Sequence, residues 1–383
     1  MSLLSLLLVC LNALVHGQLA FAHDPSAWGG VFRTRDFGGS WLAADAGLFI
    51  GAALALSVSP NDPNHLLYAT DTRLLHSRNG GRDWTQDAAD KLIGPTTAVS
   101  FDQEGRGAVA SSSAGVFHTK QGDSWQESSA PAGAGPARTI VAGTIAGHFY
   151  LGGPKGVFAS RDRGASFTRL GEGVLPEGMV TGLAVVAGAQ ETVFGAVDGE
   201  LWQSEDGGTS WRRIGGGISG DIEALASDPG KSNRLWAAAG NRLYRSEDGG
   251  FTWRAIGEPL TELNTSIRAI AASADQQSIV LATHRGALRS ADGGKRWELI
   301  EATLPVHLEA GLLVRDPHDA QTLYAGFALI PYPEIYRRAV EGNNLLSQVD
   351  PISLAGGLAF LLLLIIVGWL LARRLFQGEM SRR

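Results

Sequence analysis

An octapeptide pattern recurs seven times at nearly constant spacing, and it constrains the fold more than any other feature of this sequence. The pattern reads Ser/Thr-x-Asp-x-Gly-x-Ser/Thr-Trp, and its closing aromatic residues are 43, 41, 42, 44, 42 and 44 positions apart. Such regular self-similarity is typical of a chain built from equivalent structural units. The closing aromatics are Trp41, Trp84, Trp125, Phe167, Trp211, Trp253 and Trp297.

Each octapeptide is predicted to form a tight turn between two β-strands. The Asp side chain can accept backbone N–H groups within the turn, and the following Gly adopts a backbone conformation that other residues resist. The closing aromatic ring is expected to be buried against neighbouring strands. We therefore expect the residues at the Asp position to be structural: Asp36, Asn79, Asp162, Asp206, Asp248 and Asp292, with Gln121 in the shortened third repeat.

The length of the repeat predicts what each unit is. About 42 residues accommodate four short strands and their turns, which is one blade of a β-propeller. Two strands fit around the first repeat and two more follow the last, so we expect these halves to pair and close the ring. The sequence thus predicts an all-β fold, a seven-bladed propeller over residues 27–330.

The repeats resemble those of the Asp-box family, also called bacterial neuraminidase repeats, over residues 27–330. Within that family the chain is most similar to the photosystem II stability and assembly factor type. That resemblance implies an exported, non-catalytic propeller that holds membrane-protein intermediates during assembly. This chain departs from that type in lacking an obvious arginine-rich face and in having a predicted membrane anchor of its own.

The two ends of the chain predict export and anchoring. Residues 1–22 read as a signal peptide, with an apolar run followed by Ala20-Phe21-Ala22 before the cleavage site. Residues 352–372 form an uncharged stretch of 21 residues, about 31 Å long as a helix, which predicts one transmembrane helix. Residues 331–351 are interpreted as a juxtamembrane linker with one or two helical turns, and the arginines within 373–383 predict a cytoplasmic tail.

These features together predict a location and a class of partner. The expected location is a bacterial inner membrane, with the propeller on the periplasmic side. The only cysteine, Cys10, lies in the predicted leader, so the mature protein is expected to have no disulfide. The net charge of −6 and the lack of a basic patch argue against a nucleic-acid partner. The expected partner is a membrane-protein complex or another periplasmic protein.

An enzymatic alternative comes from the same resemblance. Asp-box propellers include sialidases, whose chemistry implies an arginine cluster, a tyrosine nucleophile with a glutamate partner and an acid/base aspartate. The Arg-Ile-Pro signature that usually opens those domains is absent here. Xyloglucanases resemble two tandem propellers with a cleft between them, whereas this sequence predicts one ring. An exported carbohydrate-binding or glycoside-hydrolysing propeller therefore remains as the alternative function.

The candidate binding residues lie near the predicted first residues of the innermost strands. In propellers these strand ends form a face that often binds partners. The candidates are Arg138, Asp221, Glu223, Arg268, His307 and Glu309. Two interpretations are open: a specific binding site, or solvated rim residues in mixed ion pairs. No general acid/base pair stands out among them, and the histidines lack metal-ligand spacing. No catalytic residue, metal or cofactor is predicted.

Overall fold

A computed structural model of the chain describes residues 29–341, except 46–47, 89, 121–123, 189, 229, 261–264 and 306. Within these residues the strands form seven antiparallel sheets of four strands each. The predicted seven-bladed propeller is confirmed. The predicted leader (1–22), transmembrane helix (352–372) and tail (373–383), together with Gln121, lie outside the described residues.

The first two strands belong to the seventh blade, and blades 1 to 3 follow them along the chain. The two strands of blade 7 are β1 (Gly30–Thr34) and β2 (Leu42–Ala43). Blade 1 consists of β3 (Ala53–Ser59), β4 (Asp62–Thr70), β5 (Leu74–Ser77) and β6 (Thr85–Asp87), and blade 2 of β7 (Thr96–Phe101), β8 (Ala108–Ser112), β9 (Gly115–Thr119) and β10 (Gln126–Glu127). Blade 3 consists of β11 (Thr139–Ala142), β12 (Phe149–Gly153), β13 (Gly156–Ser160) and β14 (Thr168–Arg169).

Blades 4 to 6 and the remaining half of blade 7 complete the strand order. Blade 4 consists of β15 (Val180–Val186), β16 (Thr192–Val197), β17 (Glu200–Ser204) and β18 (Arg212–Arg213), and blade 5 of β19 (Ile222–Asp228), β20 (Lys231–Ala239), β21 (Arg242–Ser246) and β22 (Arg254–Ile256). Blade 6 consists of β23 (Ile267–Ala272), β24 (Ile279–Thr283), β25 (Gly286–Ser290) and β26 (Glu298–Leu299), and β27 (Glu309–Arg315) and β28 (Leu323–Ala328) complete blade 7. One helix, α1 (Tyr332–Glu341), follows.

The seventh blade combines both ends of the propeller in the order β2-β1-β28-β27. Strands β1 and β28 pair antiparallel, with Gly30 opposite Phe327 and Thr34 opposite Leu323. The innermost strands β3, β7, β11, β15, β19, β23 and β27 contact one another in sequence, and β27 returns to β3. This arrangement closes the ring, so the backbone edges of the first and last strands are paired rather than left open.

The hydrophobic core lies between adjacent blades. Each of the seven closing aromatic residues packs in a cluster that joins its own blade to the preceding one. Trp211, for example, packs with Tyr150 and Val193, and Trp253 packs with Phe194 and Leu235. Trp84 and Trp297 are only partly buried, whereas the other five are buried. Burial of these rings stabilises the contacts between neighbouring blades.

The octapeptide turns have the hydrogen bonding that the sequence predicts. In blade 4, Ser204 Oγ donates to Asp206 Oδ1 at 2.7 Å, and the backbone N–H of Ser210 donates to the same oxygen at 2.8 Å. Gly208 has φ of 99°, a value that L-residues with side chains resist. In the second repeat Asn79 Oδ1 replaces the carboxylate and accepts the N–H of Asp83 at 2.9 Å. The side-chain oxygen, rather than its charge, closes the turn.

Several of these turns also join neighbouring blades. In these turns, the carbonyl oxygen of the first of the two glycines accepts a hydrogen bond from a side chain of the preceding blade. Arg33 donates to Gly80 O at 3.1 Å, and Gln203 donates to Gly249 O at 3.3 Å. These bonds satisfy carbonyl groups that a tight turn leaves without a partner.

The segment interpreted as a linker begins with a helix that is longer than the one or two turns expected. Residues Tyr332–Glu341 form the helix α1, and Ile335 and Ala339 are buried. The first part of the predicted linker is therefore folded onto the propeller, because its apolar residues recur at helical spacing. Within the described residues, no helix has the length and apolar character needed to cross a bilayer.

Candidate functional site

The central channel has two ends, which differ in what surrounds them. The seven innermost strands run parallel to one another, so their first residues share one end of the ring and their last residues share the other. We call these ends the N-face, near Ala53 and Glu309, and the C-face, near Ser59 and Arg315. The candidate binding residues all belong to the N-face.

Helix α1 lies across the N-face. Its apolar side is formed by Tyr332, Ile335, Tyr336 and Ala339, at the i, i+3, i+4 and i+7 spacing of an amphipathic helix. On its other side, Glu334 pairs with Arg337 at 2.8 Å and with Arg338 at 2.7 Å. These pairs support the helix locally, although exposed pairs contribute little to stability.

Two tyrosines attach α1 to the propeller. Tyr332 Oη donates to Ala53 O at 2.6 Å and lies 3.2 Å from Gly326 O, while its backbone N–H donates to Glu309 Oε2 at 3.0 Å. Tyr336 Oη donates to Pro136 O at 2.6 Å. These partners belong to blades 7 and 1 and to the segment before β11 in blade 3. The helix therefore extends across the channel mouth.

Burial changes the acidity of both tyrosines. It raises the pKa of Tyr332 well above its usual value, with the nearby Arg268 opposing the shift. It also raises the pKa of Tyr336 to about 12, with the charge of Arg138 acting in the opposite direction. Both hydroxyls stay protonated at neutral pH, so both act as hydrogen-bond donors.

The structure brings Arg268 and Glu309 together beneath this helix. Arg268 Nη2 lies 3.5 Å from Glu309 Oε2, and its guanidinium carbon lies 5.8 Å from the Tyr332 ring centroid. Both side chains are less than one-fifth exposed. The two residues form an ion pair, as the rim interpretation expects, but α1 shields most of the pair from solvent.

Arg138 and Glu223 form the other charged group near the N-face. Burial lowers the pKa of Arg138, and the like charge of Arg268 lowers it further, whereas Tyr336 and Glu223 act in the opposite direction. Arg138 makes no ion pair within 4 Å among the described residues. Four of the six predicted residues thus share the electrostatic environment of the covered mouth.

The remaining two predicted residues are not part of this charged group beneath α1. Asp221 and His307 are exposed, and neither makes an ion pair within the part of the chain that the structure describes. Asp221 lies beside the Gly199 turn of blade 4. Neither contributes to a joint site with Arg268 and Glu309.

Two open cavities formed by described residues lie at the C-face. One, of about 310 Å³, lies between blades 5, 6 and 7 and is lined by Asp228, Trp236, Ile270, Leu313 and other residues. The second, also about 310 Å³, lies between blades 7, 1, 2 and 3 and is lined mostly by residues of β3, β7 and β11. Arg315 and Pro317 line both cavities.

Arg315 stands between these cavities at the end of β27. Its guanidinium donates to Ala272 O and lies 5.3 Å from the Phe37 ring centroid. Burial lowers the pKa of Arg315, and the charge of Asp228 opposes that shift. An arginine remains charged in a protein, so Arg315 supplies a partly buried positive charge at this mouth.

Two carboxylates near the C-face are engaged within the protein. Asp228 pairs with Arg234 at 3.0 Å and accepts the N–H of Gly230 at 2.8 Å. Asp102 accepts the N–H groups of Arg106 and Gly107 at 3.0 and 3.1 Å. The N-face carboxylate Glu309 is likewise held by Arg268 and α1. These acids orient loops and side chains.

Sequence reasoning missed the docking of α1 on the propeller and the position of Arg315. The helical spacing of Tyr332, Ile335, Tyr336 and Ala339 could have predicted an amphipathic helix. Arg315 has no such signal, because its position between two cavities arises only when blades 5, 6, 7 and 1 are assembled.

The comparisons with known proteins show the fold and leave the activity open. No protein-family model matches the chain. A xyloglucanase from a Paenibacillus species is 28% identical over 216 residues, which are 52% of this chain and 20% of that enzyme. The chain thus spans about a fifth of the length of the curated relative it matches.

Two solved structures illustrate the likeness. A structure of YCF48 bound to D1 peptide aligns with a TM-score of 0.54 and 19% identity, covering 74% of this chain and 95% of that chain. A GH74 xyloglucanase from Xanthomonas campestris aligns with a TM-score of 0.54 and 21% identity, covering 70% of this chain and 51% of that enzyme. The fold is therefore shared with both a peptide-bound propeller and a hydrolase.

Proposed function

We propose that this chain is a non-catalytic propeller scaffold that binds other proteins during assembly or stabilisation of a membrane complex. The observation that carries this proposal is the engagement of one partly or fully buried carboxylate near each channel mouth. Glu309 is held by Arg268 beneath α1, and Asp228 is held by Arg234. A glycosidase needs two carboxyl groups facing its substrate about 5 to 9.5 Å apart, whereas these acids face partners of their own.

The likeness to YCF48 supports the same function. That alignment extends over 95% of the YCF48 chain, and the structure contains a D1 peptide. A propeller of this fold can therefore hold a peptide. In this chain the N-face is covered by α1, which leaves the C-face and the outer edges of the blades for a partner.

Export and membrane attachment complete the proposal. A leader at 1–22 and an apolar segment at 352–372 would place the propeller in the periplasm and keep it at the inner membrane. Tethering raises the effective concentration of a binding module near partners in the same bilayer. The most suitable partner is therefore an integral membrane protein or a periplasmic protein bound to one.

Binding or hydrolysis of a carbohydrate is the second candidate function. The observation that favours it is the 28% identity to a xyloglucanase over about half of this chain. A sialidase-like activity belongs to the same alternative, although the tyrosines of the N-face are engaged as hydrogen-bond donors to backbone carbonyls.

A crosslinking experiment tests the scaffold proposal. Full-length protein and a variant lacking residues 352–383 would be crosslinked in membranes, solubilised and purified, and their partners identified by mass spectrometry. We expect the same membrane-protein partner with both, because the propeller itself provides the binding surface. A partner that is lost with the anchor, and that excess truncated protein added to the membranes does not recover, would contradict that assignment.

A parallel assay addresses the carbohydrate alternative. The purified full-length protein would be incubated with xyloglucan and with sialyllactose, and released sugars would be measured. We expect no release above that of heat-denatured protein. Release that is abolished by Glu309→Gln or Asp228→Asn would replace the scaffold proposal with a hydrolase.

A further inference from the structure

The C-face carries a positive charge, that of Arg315, with no carboxylate in direct contact among the described residues. A guanidinium group has five N–H donors, and that of Arg315 uses a donor for Ala272 O and rests against the Phe37 ring. Among the described residues no carboxylate lies within 4 Å of its nitrogen atoms. Donors of Arg315 therefore remain available to a ligand.

The surroundings of Arg315 favour a carboxylate over a more highly charged anion. Burial around the guanidinium strengthens its attraction for a single negative charge. The charge of Asp228 is close enough to affect Arg315, so a phosphate or sulfate dianion would meet both attraction and repulsion. A carboxylate also matches the planar fork of a guanidinium, with two parallel hydrogen bonds.

The two cavities define what should flank that carboxylate. Each has a volume of about 310 Å³, at the lower end of the range for small-ligand pockets. One is lined mostly by apolar residues such as Ile270 and Leu313, and the other by apolar residues such as Val141 and Val314 together with Ser57 and Ser100. Because Arg315 lies between them, a ligand that fills both has its charge in the middle and apolar groups on either side.

We propose that the C-face is a peptide-binding site in which Arg315 binds the side-chain carboxylate of an Asp or Glu and the two flanking cavities take the apolar residues beside it. The inference rests on the proposed scaffold function and deepens it by naming the surface and the class of segment bound. Ser227 and Gln103, which line separate cavities, supply polar groups for the peptide backbone.

A random heptapeptide library tests this proposal with the full-length protein. The peptides carry acetylated N-termini and amidated C-termini, so that any carboxylate comes from a side chain. We expect the retained peptides to be enriched in Asp or Glu near the centre, with aliphatic residues on both sides. A second library with free C-termini distinguishes a terminal carboxylate from a side-chain carboxylate.

Matched variants locate the binding site. Arg315→Gln removes the charge and keeps a donor for Ala272 O, whereas Arg254→Gln removes an exposed charge on the outer strand β22 and serves as the control. For the best retained peptide, fluorescence anisotropy should show at least about tenfold weaker binding to Arg315→Gln and unchanged binding to Arg254→Gln. If Arg315→Gln unfolds, the same peptide with its acid replaced by Gln tests the contact on the wild-type protein.

Several outcomes would overturn the assignment. Retained peptides without an acidic preference, or equal binding to both variants, would place peptide binding elsewhere. Enrichment that requires a free C-terminus would assign the site to chain termini instead. Binding of lauric acid with no peptide retained would make it a lipid site. A membrane-protein partner that still crosslinks to Arg315→Gln would leave the scaffold function intact and refute only the C-face assignment.

Discussion

Tyr332 Oη lies 2.6 Å from the carbonyl oxygen of Ala53, so that the helix at the end of the described chain is bound to the first residue of β3. The two residues are separated by 279 positions in sequence. This hydrogen bond, with the ion pair of Arg268 and Glu309 beneath the same ring, makes α1 a fixed part of the N-face. A partner that bound at the N-face would therefore meet the outer side of α1 first.

Removing the Tyr332 hydroxyl should loosen α1. Tyr332→Phe deletes a buried hydrogen-bond donor and should lower the free energy needed to detach α1 from the propeller by about 1 to 3 kcal/mol. Hydrogen exchange measured by mass spectrometry should then be faster across residues 332–341 and unchanged in the blades. Unchanged exchange in α1 would mean that its apolar side alone holds it.

A methyl group at Gly311 should have a similar effect from the opposite side of the contact. A Cβ built at Gly311 overlaps the ring of Tyr332, which cannot move without leaving its site. Gly311→Ala should therefore expose α1, with faster hydrogen exchange in that helix. Gly216→Ala is the matched control, because a Cβ there meets no atom within 4 Å. Equal exchange in the two variants would argue against this packing.

The closing aromatic of a repeat should be a major source of stability. Trp211 is buried between blades 3 and 4, and its Nε1 donates to Gly208 O at 2.9 Å. Trp211→Ala should lower the free energy of unfolding by about 3 to 5 kcal/mol, measured by urea denaturation. Arg254→Ala, at an exposed position, should have little effect. An unchanged midpoint for Trp211→Ala would refute the core assignment of these rings.

The turn residue Asp206 should tolerate an amide but not a methyl group. Hydrogen bonds from Ser210 and Ser204 lower the pKa of Asp206 to about 2, yet Asn79 Oδ1 accepts the corresponding bonds from Ser77 Oγ and the Asp83 N–H without a charge, and its Nδ2 donates to Asp83 instead. We expect Asp206→Asn to change the free energy of unfolding by less than about 0.5 kcal/mol, and Asp206→Ala to lower it by about 1 kcal/mol or more. Thermal melts at pH 7 would separate the two variants.

The buried carboxyl of Asp45 should make stability depend on pH. Burial raises the pKa of Asp45 from 3.8 to about 6, against hydrogen bonds from Val31 N–H and the Tyr68 hydroxyl. Because the folded protein favours the protonated acid, its contribution is fully present below pH 3.8 and is lost as the pH rises through 6. The loss amounts to at most about 3 kcal/mol.

A single variant isolates that contribution. In Asp45→Asn the side chain stays neutral, so the decrease in unfolding free energy between pH 4 and pH 7 should be smaller than in the wild type. Urea denaturation across this range measures the difference. Asp221→Asn, at an exposed position, should leave the wild-type slope unchanged. A parallel pH dependence in Asp45→Asn and the wild type would contradict the shifted pKa.

The sequence predicted the repeating parts of the fold well and the channel mouths poorly. A turn such as Ser204–Trp211 forms through bonds among its own residues, and therefore its structure can be read locally. Arg268 and Glu309 were identified as candidates, but their pairing beneath Tyr332 depends on α1. Arg315 was not identified, because a charge between two cavities has no local pattern.

By itself, the sequence determined seven equivalent blades, since each carries its own turn and its own aromatic residue for packing against the preceding blade. Tertiary structure decided which end of the channel is covered and which is open. That outcome depends on contacts between distant segments: Tyr332 with Ala53 closes the N-face, and Arg315 with Ala272 defines the C-face. Local pattern cannot specify such contacts, because they exist only once the ring has closed.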